Sequence, residues 1–253
     1  FSEVPGEGPE HQLGENLDRV MAVFERLPDA ARDVCREWIA EMTRGMQLYS
    51  HRHPDERGLI TVHSLADLER YCYYVAGTVG HLLTGLFLHE IGDDVEESEA
   101  LRMKETAERF GLALQMVNIL KDQTDDLQRG RGFIPRQLAE RQGLHHAELY
   151  EEEHRREAHR AVEPVFERAR EHLDAALDYT LSIPASYPSV RLFCLLPLWM
   201  AVRTIVHADG NDAMFIEGEP VKISRDEVES LIGECVENVA DDDALRNQFA
   251  DLW

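Results

Sequence analysis

The stretch GLALQMVNILKDQTDDLQ, residues 111–128, decides the fold class. Apolar side chains fill nearly every place from Leu112 to Leu120, without turn residues and without the alternation of a half-buried strand. A helix apolar all round belongs in an interior. Gln115 and Asn118 interrupt the run, and with Asp122 and Asp126 they stand at i, i+3, i+7 and i+11, on one face. The spacing predicts a polar stripe that points inward, toward a cavity.

Helical signals continue on both sides. Pro28 suits the first turn of a helix to about Tyr49, with Val34, Trp38, Ile39, Met42 and Met46 at helical spacing. Ser64 and Asp67 form a capping signature that opens a helix from Leu65 to about His89. A third runs from about Glu97 to Leu127, and after Pro135 and a polar segment comes a long one from about Ala147 to Leu181. Pro188 begins another, to about Val206, and Ser224 with Glu227 caps one that ends near Val239. Asp209 to Val221, with Gly210, Gly218 and Pro220, reads as a mobile loop over a site. No strand pattern competes. The class is all-α, a single helical domain over residues 1–253 with a central cavity.

Composition excludes several functions. Hydrophobic residues make up 43%, so the chain is globular. Its 49 acids against 26 bases, a net charge of −23, argue against a nucleic-acid partner and fit a salt-rich milieu. The most apolar stretch, Leu192 to Val206, is short and broken by Pro197 and Arg203, so no membrane span is expected. The segment FSEVPGEGPEHQ lacks a secretory pattern, which makes a cytoplasmic location the expectation. Cys35, Cys72, Cys194 and Cys235 are scattered and read as structural thiols.

Chemistry concentrates in two segments. Carboxylates one turn apart repel each other, so a buried Asp122 and Asp126 require a cation or bases. Oxygen ligands of this kind suit Mg²⁺, and Asp125 joins through water at the mouth of the stripe. Lys121, Arg129 and Arg131 bring bases beside these acids, in keeping with a hydrophobic diphosphate ligand. The plainer reading is a solvated helix end paired to Lys121 and Arg129. The second segment is YCYYVAGTVGHLLTGLF, in which Tyr71, Tyr74, Thr78 and His81 share a face and Gly77, Gly80 and Gly85 imply close packing or room for a ligand. Here the plainer reading is helix packing with tyrosines as core.

Together, YCYYVAGTVG and NILKDQTDDLQRGRGFIP resemble the two signature regions of the squalene and phytoene synthases, in the same order. FCLLPLWMA, Phe193 to Ala201, and VKISR, Val221 to Arg225, are similar to further stretches of squalene synthases. The resemblance implies a class I terpenoid (isoprenoid) synthase bundle that condenses two farnesyl diphosphates head to head. It implies Asp122, Asp126 and Asp125 as the second Mg²⁺ motif, where Asp125 replaces a more usual Glu, with Gln115 and Asn118 in support. Arg131 and Lys121 match diphosphate-gripping bases, Lys121 in place of a commoner Arg. Tyr74 matches the tyrosine of the first half-reaction, and Tyr71, Val75, Gly77 and Thr78 the substrate wall. Phe193 and Pro197 match the pocket of the second half-reaction. Lys222 and Arg225 match the NADPH side, although Ser224 stands where eukaryotic members have Arg. VKISR and FCLLP favour squalene as the product, whereas YCYYVAGTVG looks equally like the phytoene or dehydrosqualene enzymes, which need no reductant.

The family's first aspartate-rich motif has no counterpart in this sequence. Asp29 and Asp33 form DxxxD on an amphipathic helix without that context. This departure leaves two readings open, a synthase domain that lacks its N-terminal helices here or a non-catalytic lipid-binding or partner subunit. A single-substrate isoprenoid cyclase is disfavoured by the Tyr74 and Phe193 stretches. A di-iron bundle built on Glu151 and His154 is disfavoured because YEEEHRREAHR is almost wholly polar. Substrate tails without an anchor predict peripheral membrane contact.

Overall fold

Helix α6, Glu97–Gln128, is the axis on which the other elements are assembled in the computed structural model, which describes residues 8–253. The reading of residues 1–7 as a non-secretory start lies outside the described residues. The helices in chain order are α1 Pro9–Glu15, α2 Leu17–Phe24, α3 Asp29–Ser50, α4 Leu65–Cys72, α5 Thr78–Ile91, α6, α7 Arg136–Arg141, α8 Arg155–Leu181, α9 Pro188–Ala208, α10 Arg225–Asn238 and α11 Asp242–Asp251. A two-residue parallel bridge joins β1, Ile60–Thr61, to β2, Arg131–Gly132. The fold is all-α, as the sequence predicts.

Helix α6 packs against α8, α5 and α9, and its Met116, Ile119 and Leu120 are fully buried with Phe166 and Leu173 of α8 and Trp199 of α9. Close-packed apolar surface of this extent supplies the main stabilisation. By length and composition α9 is long and apolar enough to cross a bilayer, contrary to the expectation from its Pro197 and Arg203. Here Leu195, Leu198, Trp199, Val202 and Ile205 face the interior instead. Its buried Arg191 donates to the carbonyls of Ile183 at 2.7 Å and Val239 at 3.2 Å and to Asp242 at 2.6 Å, which fastens the ends of α8 and α10 to α11. A guanidinium buried with this many acceptors is satisfied, and its loss would strand three of them.

Several boundaries differ from the sequence reading. The caps at Ser64 and Ser224 form, accepting from the amides of Asp67 at 3.2 Å and Glu227 at 3.1 Å. The helix after Ser64, however, is interrupted by a π turn, Tyr73–Gly77, before α5. The helix predicted from Ala147 starts at Arg155, after 3₁₀ turns at His146–Tyr150 and Glu152–His154. The segment Asp209 to Val221 is anchored: a 3₁₀ turn, Asp212–Phe215, buries Met214 and Phe215, and Val221 is buried too. Helices α1, α2, α7 and α11 are additions, all of ten residues or fewer.

Candidate active site

The C-terminal end of α6 is where the predicted acids and bases meet. Asp126 is half-buried; burial and the like charges of Asp122 and Asp125 raise its carboxyl above the ordinary range, against the lowering effect of Arg129 and Lys121. A carboxylate in that state gains from a nearby cation. Lys121 bonds both oxygens of Asp122, at 2.7 and 2.6 Å, and Arg129 lies 3.7 Å from Asp126. Asp122, Asp125 and Asp126 do not converge on one point. Among the described residues, the acid and histidine ligand atoms that gather within 4.8 Å are those of Glu151, Glu153 and His154, on the surface. An open acid edge suits Mg²⁺, which keeps waters and substrate phosphates in its shell rather than a full protein cage.

The stripe itself runs along an open face. Asn118 is exposed and Gln115 is half-buried, so the inward direction expected of them is corrected; Asp125, expected at the mouth of the stripe, is exposed. The reason is that Met116, Val117, Ile119 and Leu120 take the core-facing side, which leaves Asn118 on the opposite one. The buried polar residue of this segment is instead Gln123, whose amide donates to the Leu120 carbonyl at 3.1 Å.

Beyond Asp126, Gly130 at φ 74° turns the chain back so that β2 pairs with β1: the amides of Ile60 and Val62 donate to the carbonyls of Gly130 and Gly132 at 2.9 and 3.2 Å. This brings Arg131 and Phe133 to a cavity of about 250 Å³ that they share with Asp126, Tyr71, Tyr49 and Arg52. Tyr71 stacks on Phe133 at 4.5 Å and meets Tyr49 edge-on at 5.1 Å. Arg52 covers the Tyr49 ring at 4.1 Å and grips Asp67 through two bonds of 2.7 and 2.6 Å. Burial, with smaller contributions from Cys72 and Asp126, pushes Tyr71 up to about 12 despite Arg131, so it is a phenol at neutral pH.

A sequence profile described as squalene/phytoene synthase matches residues 2–227. This chain belongs to the squalene/phytoene synthase family. It is 30% identical to a squalene synthase of Dictyostelium discoideum over 206 residues, 81% of this chain and 46% of that protein. It is 32% identical to a squalene synthase of Candida albicans over 198 residues, 77% and 43% of the two. The chain thus spans about half the length of the curated relatives it matches. A solved complex of TcSQS with the ligand BPH1237 superposes with a TM-score of 0.81 at 28% identity, covering 98% of this chain and 69% of that one. The squalene synthase HpnC of Alicyclobacillus acidocaldarius, at 21% identity and a TM-score of 0.50 over 76% of this chain and 65% of that one, shares the fold.

Within this squalene/phytoene synthase scaffold the second signature segment divides. Tyr71, Tyr74, Thr78 and His81 do not share one site, because the π turn inserts an extra residue into the helical winding. Tyr71 lines the cavity with Asp126, whereas Tyr74 packs over Gly45 and lines an outer groove with Glu41, Arg44, Gln47 and His51. Thr78 is fully buried and spends its hydroxyl on the Tyr74 carbonyl at 2.9 Å, and His81 stacks on Trp38 at 4.4 Å. Val75 is half-buried, and Gly77 packs so tightly that a Cβ there would lie 3.1 Å from Leu112. Phe193 is 55% exposed and meets Phe87 edge-on at 5.7 Å, with Pro197 half-buried one turn on. Lys222 and Arg225 are exposed at the start of α10 and line none of these cavities. Tyr49, Arg52, Asp67 and Phe133 were not read as site residues from the sequence: Tyr49 and Asp67 lie in α3 and α4, where Asp67 reads only as a capping residue, and Arg52 and Phe133 lie in irregular segments that carry no periodic signal.

Proposed function

We propose that the chain carries the diphosphate-ionising site of a head-to-head prenyl synthase that joins two farnesyl diphosphates. The observation that carries this reading is the meeting of Asp126, Tyr71, Arg131 and Phe133 around one cavity beside an acid-rich helix end. Asp122 and Asp126, with Asp125 through water, would hold Mg²⁺, which supplies charge neutralisation of the departing diphosphate. Arg131 offers a fork of donors to the diphosphate oxygens. Lys121, already bonded to Asp122, orients that carboxylate.

When the carbon–oxygen bond of one farnesyl chain breaks, its electron pair leaves with the diphosphate. The 2,3-double bond of the second chain attacks the allylic cation, and loss of a proton closes a cyclopropylcarbinyl diphosphate. The rings of Tyr71, Tyr49 and Phe133 exclude water from that cation and present π faces to it. Phe193 and Pro197 are assigned to the second ionisation, in which the cyclopropyl carbinyl cation rearranges. Reduction to squalene would draw NADPH to Lys222 and Arg225. Those two side chains are exposed and line none of the cavities described above, so no step is derived through the reductant. A second reading, dehydrosqualene formed without reductant, rests on the likeness of YCYYVAGTVG to the enzymes that need none. Greasy substrates also call for peripheral contact with a membrane.

The test is incubation of the protein with farnesyl diphosphate and Mg²⁺, with and without NADPH, followed by extraction. The expected product without NADPH is a C30 cyclopropyl diphosphate or dehydrosqualene, and squalene with it. Absence of both C30 product and diphosphate release overturns the farnesyl reading. A C40 product from geranylgeranyl diphosphate would then mark a phytoene synthase.

A further inference from the structure

A second cavity, of about 510 Å³, opens where α4, the π turn, α6 and α8 meet, and it shares no lining residue with the one around Asp126. Tyr71 lines the first cavity and Tyr73 the second. In a protein with 49 acids and 26 bases, this wall carries three arginines, Arg70, Arg109 and Arg168, against two glutamates, Glu69 and Glu108. Such a local excess of positive charge runs against the composition of the whole chain and favours an anion.

Both glutamates already have partners. Glu69 pairs with Arg168 at 3.0 Å, and Glu108 lies 3.9 Å from the His81 ring. Arg109, by contrast, meets no carboxylate among the described residues: its Nε donates to His172 Nδ1 at 3.3 Å and its Nη2 to the Glu171 carbonyl at 3.0 Å, which leaves Nη1 unspent. Arg70 comes only within 3.8 Å of Asp67, whose oxygens Arg52 already occupies. His172, on the same wall, is 5% exposed. Burial, with the charges of Arg109 and Arg168, lowers it to about 4, and Nδ1 accepts from Arg109, so the neutral ring bears its proton on Nε2. That donor has no hydrogen-bond partner, because the nearest Glu69 oxygen is 3.6 Å away. A buried donor left unpaired is costly, and an acceptor in the cavity would remove the cost.

We infer that this cavity is a second anion site, which binds a phosphate or diphosphate group between Arg109 and Arg70 with His172 Nε2 donating to it. Forked guanidinium donors match phosphate oxygens, and His172 holds Arg109 from behind through its Nδ1. The walls themselves supply the cations, so the site needs no metal and stands independently of the reading of Asp126. The same chemistry is offered by the free anion and by the head of a prenyl diphosphate.

The test is calorimetric titration of wild type, R109A, R70A and R131A in EDTA, without Mg²⁺, first with sodium diphosphate and then with farnesyl diphosphate, alongside thermal melts of the four proteins. Wild type should bind one diphosphate per chain, and R109A should bind it at least tenfold more weakly. R70A, whose side chain is exposed, should fold normally and bind severalfold more weakly. R131A, altered in the other cavity, should bind as wild type does. Equal affinity for the two titrants supports a site for the free anion, and binding of farnesyl diphosphate alone supports the same site with the substrate head group as its source. Absence of binding to wild type overturns the proposal, and so does wild-type affinity in both R109A and R70A. Binding lost in R131A but kept in R109A also overturns it, since the anion then sits at the acid-rich site. If R109A fails to fold, wild-type affinity in R70A alone overturns the proposal.

Discussion

Asp67 stands behind the aromatic wall of the cavity and engages three neighbours at once. Besides the fork from Arg52, it accepts from the Tyr49 hydroxyl at 3.0 Å and from the His63 amide at 2.9 Å. Burial alone would raise its carboxyl; the bonds from Arg52, His63 and Tyr49 and the Arg52 charge outweigh that and lower it from 3.8 to about 2. A carboxyl depressed on folding contributes stability that is present above its unfolded value and lost as the pH falls through its folded one. The difference in urea midpoint between wild type and D67N should therefore be full at pH 5 and shrink between about pH 4 and pH 2. A difference constant over that range would mean that the charge on Asp67 is not what stabilises the wall. At this scale the sequence was legible where residues repeat along one helix: Asp122 and Asp126 follow from the α6 register, and Arg131 stands just past its end in β2. It was not legible where the decisive partner comes from a distant segment, as with Tyr49 and Asp67, 18 residues apart. Nor did uniform helical spacing separate Tyr71 from Tyr74, because a π turn leaves no mark in composition.

The π turn and α5 approach α6 at the distance of bare backbones. A Cβ at Gly80 would lie 2.1 Å from the Ala107 carbonyl oxygen, and one at Gly111 would lie 2.2 Å from that of Ala76. Main-chain atoms of two packed helices cannot yield by such amounts without shifting the crossing, so the usual gain of Gly→Ala in a helix is reversed here. Gly80→Ala and Gly111→Ala should each destabilise by about 1–3 kcal/mol or more. Gly233, in α10 with nothing within 4 Å of its Cβ direction, is the control: Gly233→Ala should stabilise by about 0.5–1 kcal/mol. Denaturant midpoints of the three variants check this, and stabilisation by G80A or G111A would show that the two helices are not in backbone contact. The long helices were legible because their apolar period persists over many turns. The short ones, α1, α2, α7 and α11, span too few turns to establish a period, and what holds α11 in place is the reach of Arg191 and Arg203 from α9.

Over the whole molecule, 49 acids face 26 bases, so long-range repulsion opposes the compact state. The local ion pairs pull the other way, and salt weakens both, which makes the sign of the salt response a measure of which prevails. Most of the pairs have at least one exposed partner, and in several, such as Arg36 with Asp33 and Arg246 with Asp178, both are exposed; pairs of that kind contribute about 0–1 kcal/mol each. With nearly twice as many acids as bases, many carboxylates have no cation to meet, and repulsion prevails. Stability should accordingly rise as KCl increases from 0.1 to 1 M, over which the screening length falls from about 10 to 3 Å. Chloride is the suitable anion, because sulfate would add the stabilisation that comes from its exclusion from protein surface. Glu151, Glu152 and Glu153 are consecutive and exposed, so changing all three to Gln should raise the melting temperature in low salt and flatten the rise with KCl. A melting temperature that falls with KCl would instead mean that the ion pairs, and not the excess of acids, dominate the electrostatics of this fold.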